Sequence, residues 1–96
     1  MKTIYQVVTK NYDIVNGVEY LNPSSPFSNK LAYNDYKTAL VVAKTLYHTY
    51  AADDTFVQST ECVETEDSFI GIVNLCLSKS IITIEKVELI GYKIYQ

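Results

Sequence analysis

The sequence YKTALVVAKTLYHTY, residues 36–50, has the spacing of an amphipathic α-helix. Its apolar positions recur every three or four residues, which puts them on one face of a helix. Asn34 or Asn29 is placed to cap its N-terminus, and Val41 and Val42 widen the apolar face enough for it to be covered on two sides. The residues of the main apolar face are Tyr36, Ala39, Leu40, Ala43, Leu46, Tyr47 and Tyr50.

The chain before this helix has the pattern of a β-hairpin. Asn16-Gly17 stands between the segments YDIV and VEYL, and a type I′ turn needs positive φ at both of its central residues, which Asn and Gly tolerate best. We expect a first strand over residues 3–15 with a bulge near residues 10–11. Residues 22–29 contain both prolines and predict a turn-rich connection to the helix.

The chain after the helix has the pattern of strands joined by short turns. Residues 69–77, FIGIVNLCL, fit either a buried strand or a helix that begins at Ser68, and their β-branched residues favour the strand. Residues 81–90 alternate between two faces, and residues 64–67 predict a turn. Short turns produce antiparallel pairing. The 96 residues therefore predict a single domain of α+β class, with an antiparallel sheet of about four to five strands and one main helix packed on one face.

Charge is distributed unevenly along the chain, whose formal net charge is −3. Residues 1–50 hold five lysines and three acids (+2), and residues 51–96 hold three lysines and eight acids (−5). The acid-rich run within the second half is typical of a solvated strand and its turns. It also suits a surface that meets a basic partner. Six acids fall between residues 53 and 67 without a lysine: Asp53, Asp54, Glu61, Glu64, Glu66 and Asp67.

Nine tyrosines form a second excess. Those on the apolar helix face are expected in the core. Tyrosine also suits exposed contact patches, because it has an apolar ring and a polar end. The tyrosines expected outside the core are Tyr12, Tyr20, Tyr92 and Tyr95. We predict a partner-binding set that combines the acidic and aromatic residues: Glu61, Glu64, Glu66, Asp67, Tyr12 and Tyr20.

The residue types that carry most chemistry are scarce. The chain has no arginine, which removes the bidentate phosphate ligand and, with the negative charge, argues against direct nucleic-acid binding. No phosphate-binding glycine loop, zinc-protease motif or serine elbow is present. His48 is the single histidine, and it falls on the polar side of the helix. Cys62 and Cys76 lie in apolar runs and are expected to be buried, reduced thiols. We therefore expect no enzyme activity, no metal site and no cofactor.

The order of elements resembles that of small accessory proteins of tailed bacteriophages. The resemblance rests on the tyrosine-rich opening strand over residues 1–9, the Asn-Gly hairpin, the Phe27-Ser28 loop, the helix and the charged alternating strand IEKVEL at residues 84–89. It covers the whole chain as a pattern and transfers no functional residue. It implies an early-expressed cytoplasmic protein that binds and modulates a host factor.

These features lead to one principal hypothesis and two alternatives. The principal hypothesis is a non-enzymatic protein-binding module, phage-encoded and acting in the host cytoplasm, that inhibits or modulates a bacterial host or defence protein by occupying its surface. The first alternative is a structural module that forms a homodimer through an apolar sheet face. The second is a small nucleotide-binding or enzymatic protein that uses His48. No apolar stretch approaches the roughly 20 residues that a membrane span needs, and we expect no membrane partner.

Overall fold

The computed structural model describes residues 2–23, 29–52 and 56–89, which form one helix and a six-stranded antiparallel sheet. The predicted α+β class is confirmed, and the sheet has one strand more than the four to five expected, because a short strand precedes the helix. The elements are β1 (Lys2–Val15), β2 (Val18–Leu21), β3 (Asn29–Tyr33), α1 (Tyr36–Ala51), β4 (Val57–Glu64), β5 (Phe69–Leu75) and β6 (Ser78–Leu89).

The strand order is β2-β1-β6-β5-β4, and β3 also pairs with β1. The long strand β1 is shared along one side, since its first half pairs with β3 and its last residues pair with β2. On its other side β1 pairs with β6 without interruption from Lys2↔Leu89 to Asp13↔Ser78. The bulge expected near residues 10–11 is therefore wrong, and a register shift is found instead between Val57 and Ser59 of β4.

Local sequence signals determine the turn of the hairpin and the start of the helix. Asn16 and Gly17 have φ values of 53° and 78°, so the predicted turn with positive φ at both residues is confirmed. The helix is capped by Asp35, and not by Asn34 or Asn29. The Asp35 carboxylate accepts hydrogen bonds of 2.8 Å from the amide and the hydroxyl of Thr38. The bond from the Thr38 amide is the main reason that the pKa of Asp35 lies below its usual value.

The core lies between α1 and one face of the sheet. Alternate residues of the strands point toward the helix, so Val7 of β1, Ile82 of β6 and Val73 of β5 are buried beneath Ala39 and Ala43. Among the residues that the structure describes, the helix is covered on this side only. Val41 is 65% exposed, so the expected second cover of Val41 and Val42 is wrong at Val41.

The opposite side of the sheet, which we call the open face, has no helix on it within the described ranges. The register places Val8 of β1, Thr83 of β6, Ile70 of β5 and Val63 of β4 side by side in one row of this face. Val8 is only 1% exposed, whereas Val63 is 58% exposed. Exposure along this row therefore increases from β1 toward β4, where the open face is accessible.

Candidate protein-binding surfaces

The four predicted acidic contact residues lie together at one margin of the sheet. Glu61 and Glu64 belong to β4, and Glu66 and Asp67 belong to the turn between β4 and β5. The turn is closed by a 2.9 Å hydrogen bond from the Thr65 amide to the Ser68 carbonyl. We call Glu61, Glu64, Glu66 and Asp67 the acidic edge.

Of the described strands, the one that carries the acidic edge is the outermost on this side of the sheet. Seven of the eight β4 residues are exposed. The helix packs on β5, β1, β6 and, to a smaller extent, β3, so β4 projects beyond the helix-covered part of the sheet. An outermost strand presents unpaired backbone N–H and C=O groups along its free side.

The acidic edge is only partly neutralised by the rest of the chain. Lys44 of the helix lies 3.1 Å from a Glu64 carboxylate oxygen, and both side chains are about 40% exposed (44% and 40%). Such a surface pair stabilises the fold by about 0–1 kcal/mol. Within the described part of the chain, Glu61, Glu66 and Asp67 form no ion pair. Negative charge therefore remains available to a partner along this margin.

A tyrosine of the helix lies next to the acidic edge. The Tyr36 hydroxyl is buried and has no hydrogen-bond partner among the described residues. The Tyr36 ring packs edge-on against Tyr5, with ring centroids 5.7 Å apart. Burial raises the pKa of Tyr36, and the nearby charges of Asp67 and Glu64 raise it further. The neutral phenol is thus favoured in the folded state although its hydroxyl is unsatisfied.

Replacing Tyr36 by phenylalanine is expected to stabilise the fold by about 1 kcal/mol, because it removes a buried hydroxyl without a partner and keeps the ring. The raised pKa also makes the wild-type chain lose stability as the pH rises through and beyond the unfolded value of 10.0. The Tyr36→Phe variant should lose less stability in that range. Urea denaturation at pH 7 and pH 10.5 measures both effects. Tyr20→Phe, at an exposed site, is the control and should change neither; equal stability of Tyr36→Phe and wild type would contradict the expectation.

The two predicted aromatic contact residues lie elsewhere, in the β1–β2 hairpin. Tyr12 pairs with Leu21, and Tyr20 pairs with Asp13, so the two tyrosine side chains point to opposite faces of the sheet. Tyr12 is half-buried and Tyr20 is exposed. Tyr12 lies on β1, three strands from β4, in the row across the sheet that ends at Ser59, and Tyr20 lies one strand further out on β2. The two tyrosines therefore lie at the opposite margin of the sheet from the acidic edge.

Sequence reasoning missed the apolar character of the hairpin tip. Val15, Val18, Tyr20 and Leu21 are each at least half exposed, although their alternation had indicated only a strand pair.

Between this hairpin and the helix C-terminus lies a cleft of about 760 Å³. Its walls include Tyr50, Leu75 and Leu77, and Asp13 contributes a carboxylate. The helix is shorter than the sheet beneath it, which leaves this end uncovered.

The residues considered for catalysis are dispersed over the surface. Cys62 and Cys76 are free and exposed, so the expectation that both are buried is wrong. Cys62 lies on β4 and Cys76 directly follows β5, where the helix does not cover them. His48 is exposed near the helix C-terminus, and its ring packs against Tyr47 with centroids 5.4 Å apart. No hydrogen bond joins His48 to either thiol within the residues that the structure describes. The same residues contain no group of three or more potential metal ligands.

Comparison with known proteins assigns no function to these surfaces. The chain matches no protein-family model, no curated protein and no solved structure. Across residues 2–23, 29–52 and 56–89, no helix combines the length and the apolar character that crossing a membrane requires.

Proposed function

We propose that the chain is a non-enzymatic protein-binding module that takes up an extended, basic segment of its partner as an additional strand beside β4. The observation that carries the proposal is that the predicted acidic contact residues lie on and beside an exposed outermost strand. The backbone of such a strand supplies affinity for an extended peptide, and the side chains next to it supply specificity.

The charges of β4 select the kind of strand that can pair with it. Glu61 faces the open side of the sheet and Glu64 faces the helix side, because Glu61 pairs with Ile72 and Glu64 pairs with Phe69. A partner strand with Lys or Arg at two positions three residues apart would therefore meet Glu61 on one face and Glu64 on the other. Like charges directly opposite each other destabilise strand pairing, so a second copy of β4 is disfavoured as the added strand.

Charged residues on an outermost strand also protect it from uncontrolled pairing. The register shift between Val57 and Ser59 contributes to the same protection at the beginning of β4. These two features confine the free pairing edge to the part of β4 from Ser59 onward. This part is six residues long, from Ser59 to Glu64, which is a typical length for a peptide strand.

Binding in this way would hide the added segment from the partner's other contacts. That is a direct route to inhibition, because the module acts by covering and needs no chemistry of its own. The resemblance to phage accessory proteins favours a bacterial host or defence protein as the partner, and its exposed basic segment would be the target.

Fluorescence anisotropy with a labelled ten-residue peptide, in which lysines stand three residues apart among valine and threonine residues, tests the pairing mode. Two further peptides carry N-methyl groups on the odd or on the even residues. In an antiparallel pair only alternate N–H groups face the neighbouring strand. We expect one methylated peptide to lose binding by at least tenfold and the other to bind like the parent. Equal binding of both methylated peptides would contradict strand addition, as would no binding of the parent.

Paired charge reversals test the location. E61K/E66K should weaken peptide binding at least tenfold at low salt, because attraction is replaced by repulsion at two exposed sites. The matched control is E85K/E88K, which reverses two exposed acids of β6 and should change the affinity less than twofold. Equal losses in the two variants would show that net charge, and not the acidic edge, governs binding.

A further inference from the structure

The cleft between the β1–β2 hairpin and the C-terminus of α1 lies apart from the edge used in the proposed function. Its floor continues the helix-covered side of the sheet, but the residue type changes where the helix ends. Along β6 this side holds Ile82 in the core and then Ser80 and Ser78 in the cleft. On β1 the residues paired with these serines are Asn11 and Asp13. The floor of the cleft is therefore polar, although it adjoins the core.

The walls of the cleft are mainly apolar. They include Tyr50 of the helix and Leu75 of β5, together with Phe56 and Leu77 of the connecting segments. Phe56 is 58% exposed and Leu77 is 76% exposed, so both present accessible apolar surface. Apolar walls around a few polar groups are the usual composition of a ligand pocket, and such pockets have volumes of about 300–1,000 Å³. The cleft, at about 760 Å³, falls within this range.

The polar groups of the floor can accept hydrogen bonds from a ligand. Asn11 and Ser80 are 7% and 5% exposed, and the Ser80 hydroxyl donates to the Asn11 side-chain oxygen. A hydroxyl oxygen that donates still has lone pairs with which to accept. The Asp13 carboxylate accepts a 3.1 Å bond from the Asn22 side-chain amide and forms no ion pair with any described residue. Since a carboxylate has about four acceptor sites, Asp13 keeps capacity for a further donor.

The charges at the cleft favour a cation over an anion. None of the described residues that line it is a lysine or a histidine, and Asp13 is the only acid among them. Thr49 and Tyr50 also line it and belong to the last turn of α1, where the helix carbonyls carry a partial negative charge. The carboxylate and the helix end therefore both stabilise a positive charge, and both would repel a fatty acid or a phosphate.

We propose that the cleft binds a small organic cation, which consists of a primary ammonium group on an aliphatic or aromatic body. The ammonium group donates to the Asp13 carboxylate and to the serine hydroxyls of the floor, and the apolar body lies against Phe56 and Leu77. A primary ammonium has three donors and no acceptor, which matches a floor made of acceptors. Asp13 lies on β1 and the acidic edge on β4 and the turn after it, so this site does not depend on the proposed function.

Titration of the isotope-labelled full chain with phenethylamine, followed by two-dimensional NMR, tests the site. Phenethyl alcohol and phenylpropanoate are the matched probes, because they keep the phenyl ring and replace the ammonium by a neutral or a negative group. We expect phenethylamine to shift the amide signals of Leu75, Leu77 and Ser78, and to bind at least fivefold more tightly than either matched probe. No shift of these signals at about 10 mM phenethylamine, a concentration at which a ligand of this size should bind, would overturn the site. Equal affinities for the amine and the alcohol would overturn the preference for a cation.

Two substitutions locate the two ends of the ligand. Asp13→Asn retains an acceptor for Asn22 and should weaken phenethylamine binding at least fivefold, while it changes phenethyl alcohol binding less than twofold. Its control is Glu85→Gln, which removes an exposed negative charge outside the cleft and should change neither affinity. Phe56→Ala should weaken both ligands at least threefold, whereas Val41→Ala, at an exposed site of the helix, should weaken neither.

Equal losses in Asp13→Asn and Glu85→Gln would mean that net charge attracts the amine, and would overturn Asp13 as its partner. Circular dichroism verifies the fold of each variant. The β4 peptide experiment changes neither Asp13 nor Phe56, so a failure of the cleft proposal and a failure of the proposed function are distinguishable.

Discussion

Replacing Ile82 by alanine is expected to lower the free energy of unfolding by about 2–5 kcal/mol. Ile82 is fully buried and belongs to the core cluster beneath the helix. It lies on β6, which pairs with β1 on one side and β5 on the other, so surrounding atoms have little freedom to close the resulting cavity. A small domain is stable by only about 5–15 kcal/mol, so this one change removes a large share of the total.

Urea denaturation monitored by circular dichroism measures the loss. The matched control is Ile70→Ala, which removes the same atoms from the neighbouring strand on the open face, where Ile70 is 36% exposed. It should cost less than half as much, when both are measured at a concentration at which the chain is monomeric. Similar losses at the two positions would mean that the open face is packed as tightly as the helix-covered face, contrary to the structure.

The helix-covered face could be predicted because it depends on short-range patterns. The alternation in residues 81–90 assigned Ile82 and Ile84 to one face and Thr83 and Glu85 to the other, and the core contains Ile82 with Ile84 beside it. The strand assignment of residues 69–77 is confirmed for Phe69–Leu75. Periods of two and of three to four residues are properties of the chain itself, which is why sequence alone reveals them.

The position of each strand in the sheet could not be predicted, because it depends on pairing between distant segments. β1 lies next to β6, at the other end of the chain, and no local pattern announces such a neighbour. For the same reason β3 was missed: five residues with both a lysine and an alanine form a strand only because β1 offers them a partner. The exposure of Cys62 was mispredicted for the same reason. Its neighbours in sequence include apolar residues, but it lies on the outermost described strand.

The candidate site also combines features that the local sequence reveals with features that depend on the order of the strands. The run of acids is visible in the sequence, but its position on an outermost strand is a property of the sheet order. Conversely, Tyr12 and Tyr20 were grouped with the acids by residue type, and the strand order places them on β1 and β2, at the opposite margin of the sheet from β4. Their role in partner binding remains a prediction, and any partner that contacts both sets must span the sheet. Tyr92 and Tyr95 lie outside the described residues.

Replacing Gly71 by alanine is expected to destabilise the chain by about 1–3 kcal/mol, although alanine is ordinarily preferred over glycine by about 0.5–1 kcal/mol. A Cβ atom built on Gly71 would lie 2.6 Å from Cδ1 and 3.1 Å from Cγ of Tyr47. The Tyr47 ring is itself buried and packs edge-on against Phe69, with centroids 6.3 Å apart. The glycine does not mark a bulge, because β5 pairs with β6 in regular register through Gly71↔Ile82.

A double-mutant cycle with Tyr47→Leu separates this clash from any general effect of the substitution. Leucine fills less of the space above Gly71, so Gly71→Ala should cost at least about 1 kcal/mol less in the Tyr47→Leu background than in the wild type, which is a coupling typical of residues in contact. Tyr47→Leu alone provides the reference for the loss of the ring. Strictly additive effects would show that Tyr47 does not constrain position 71. A positive coupling would establish that the glycine is required for the close approach of the helix to β5. The packing of the helix on the sheet would then depend on position 71 having no side chain.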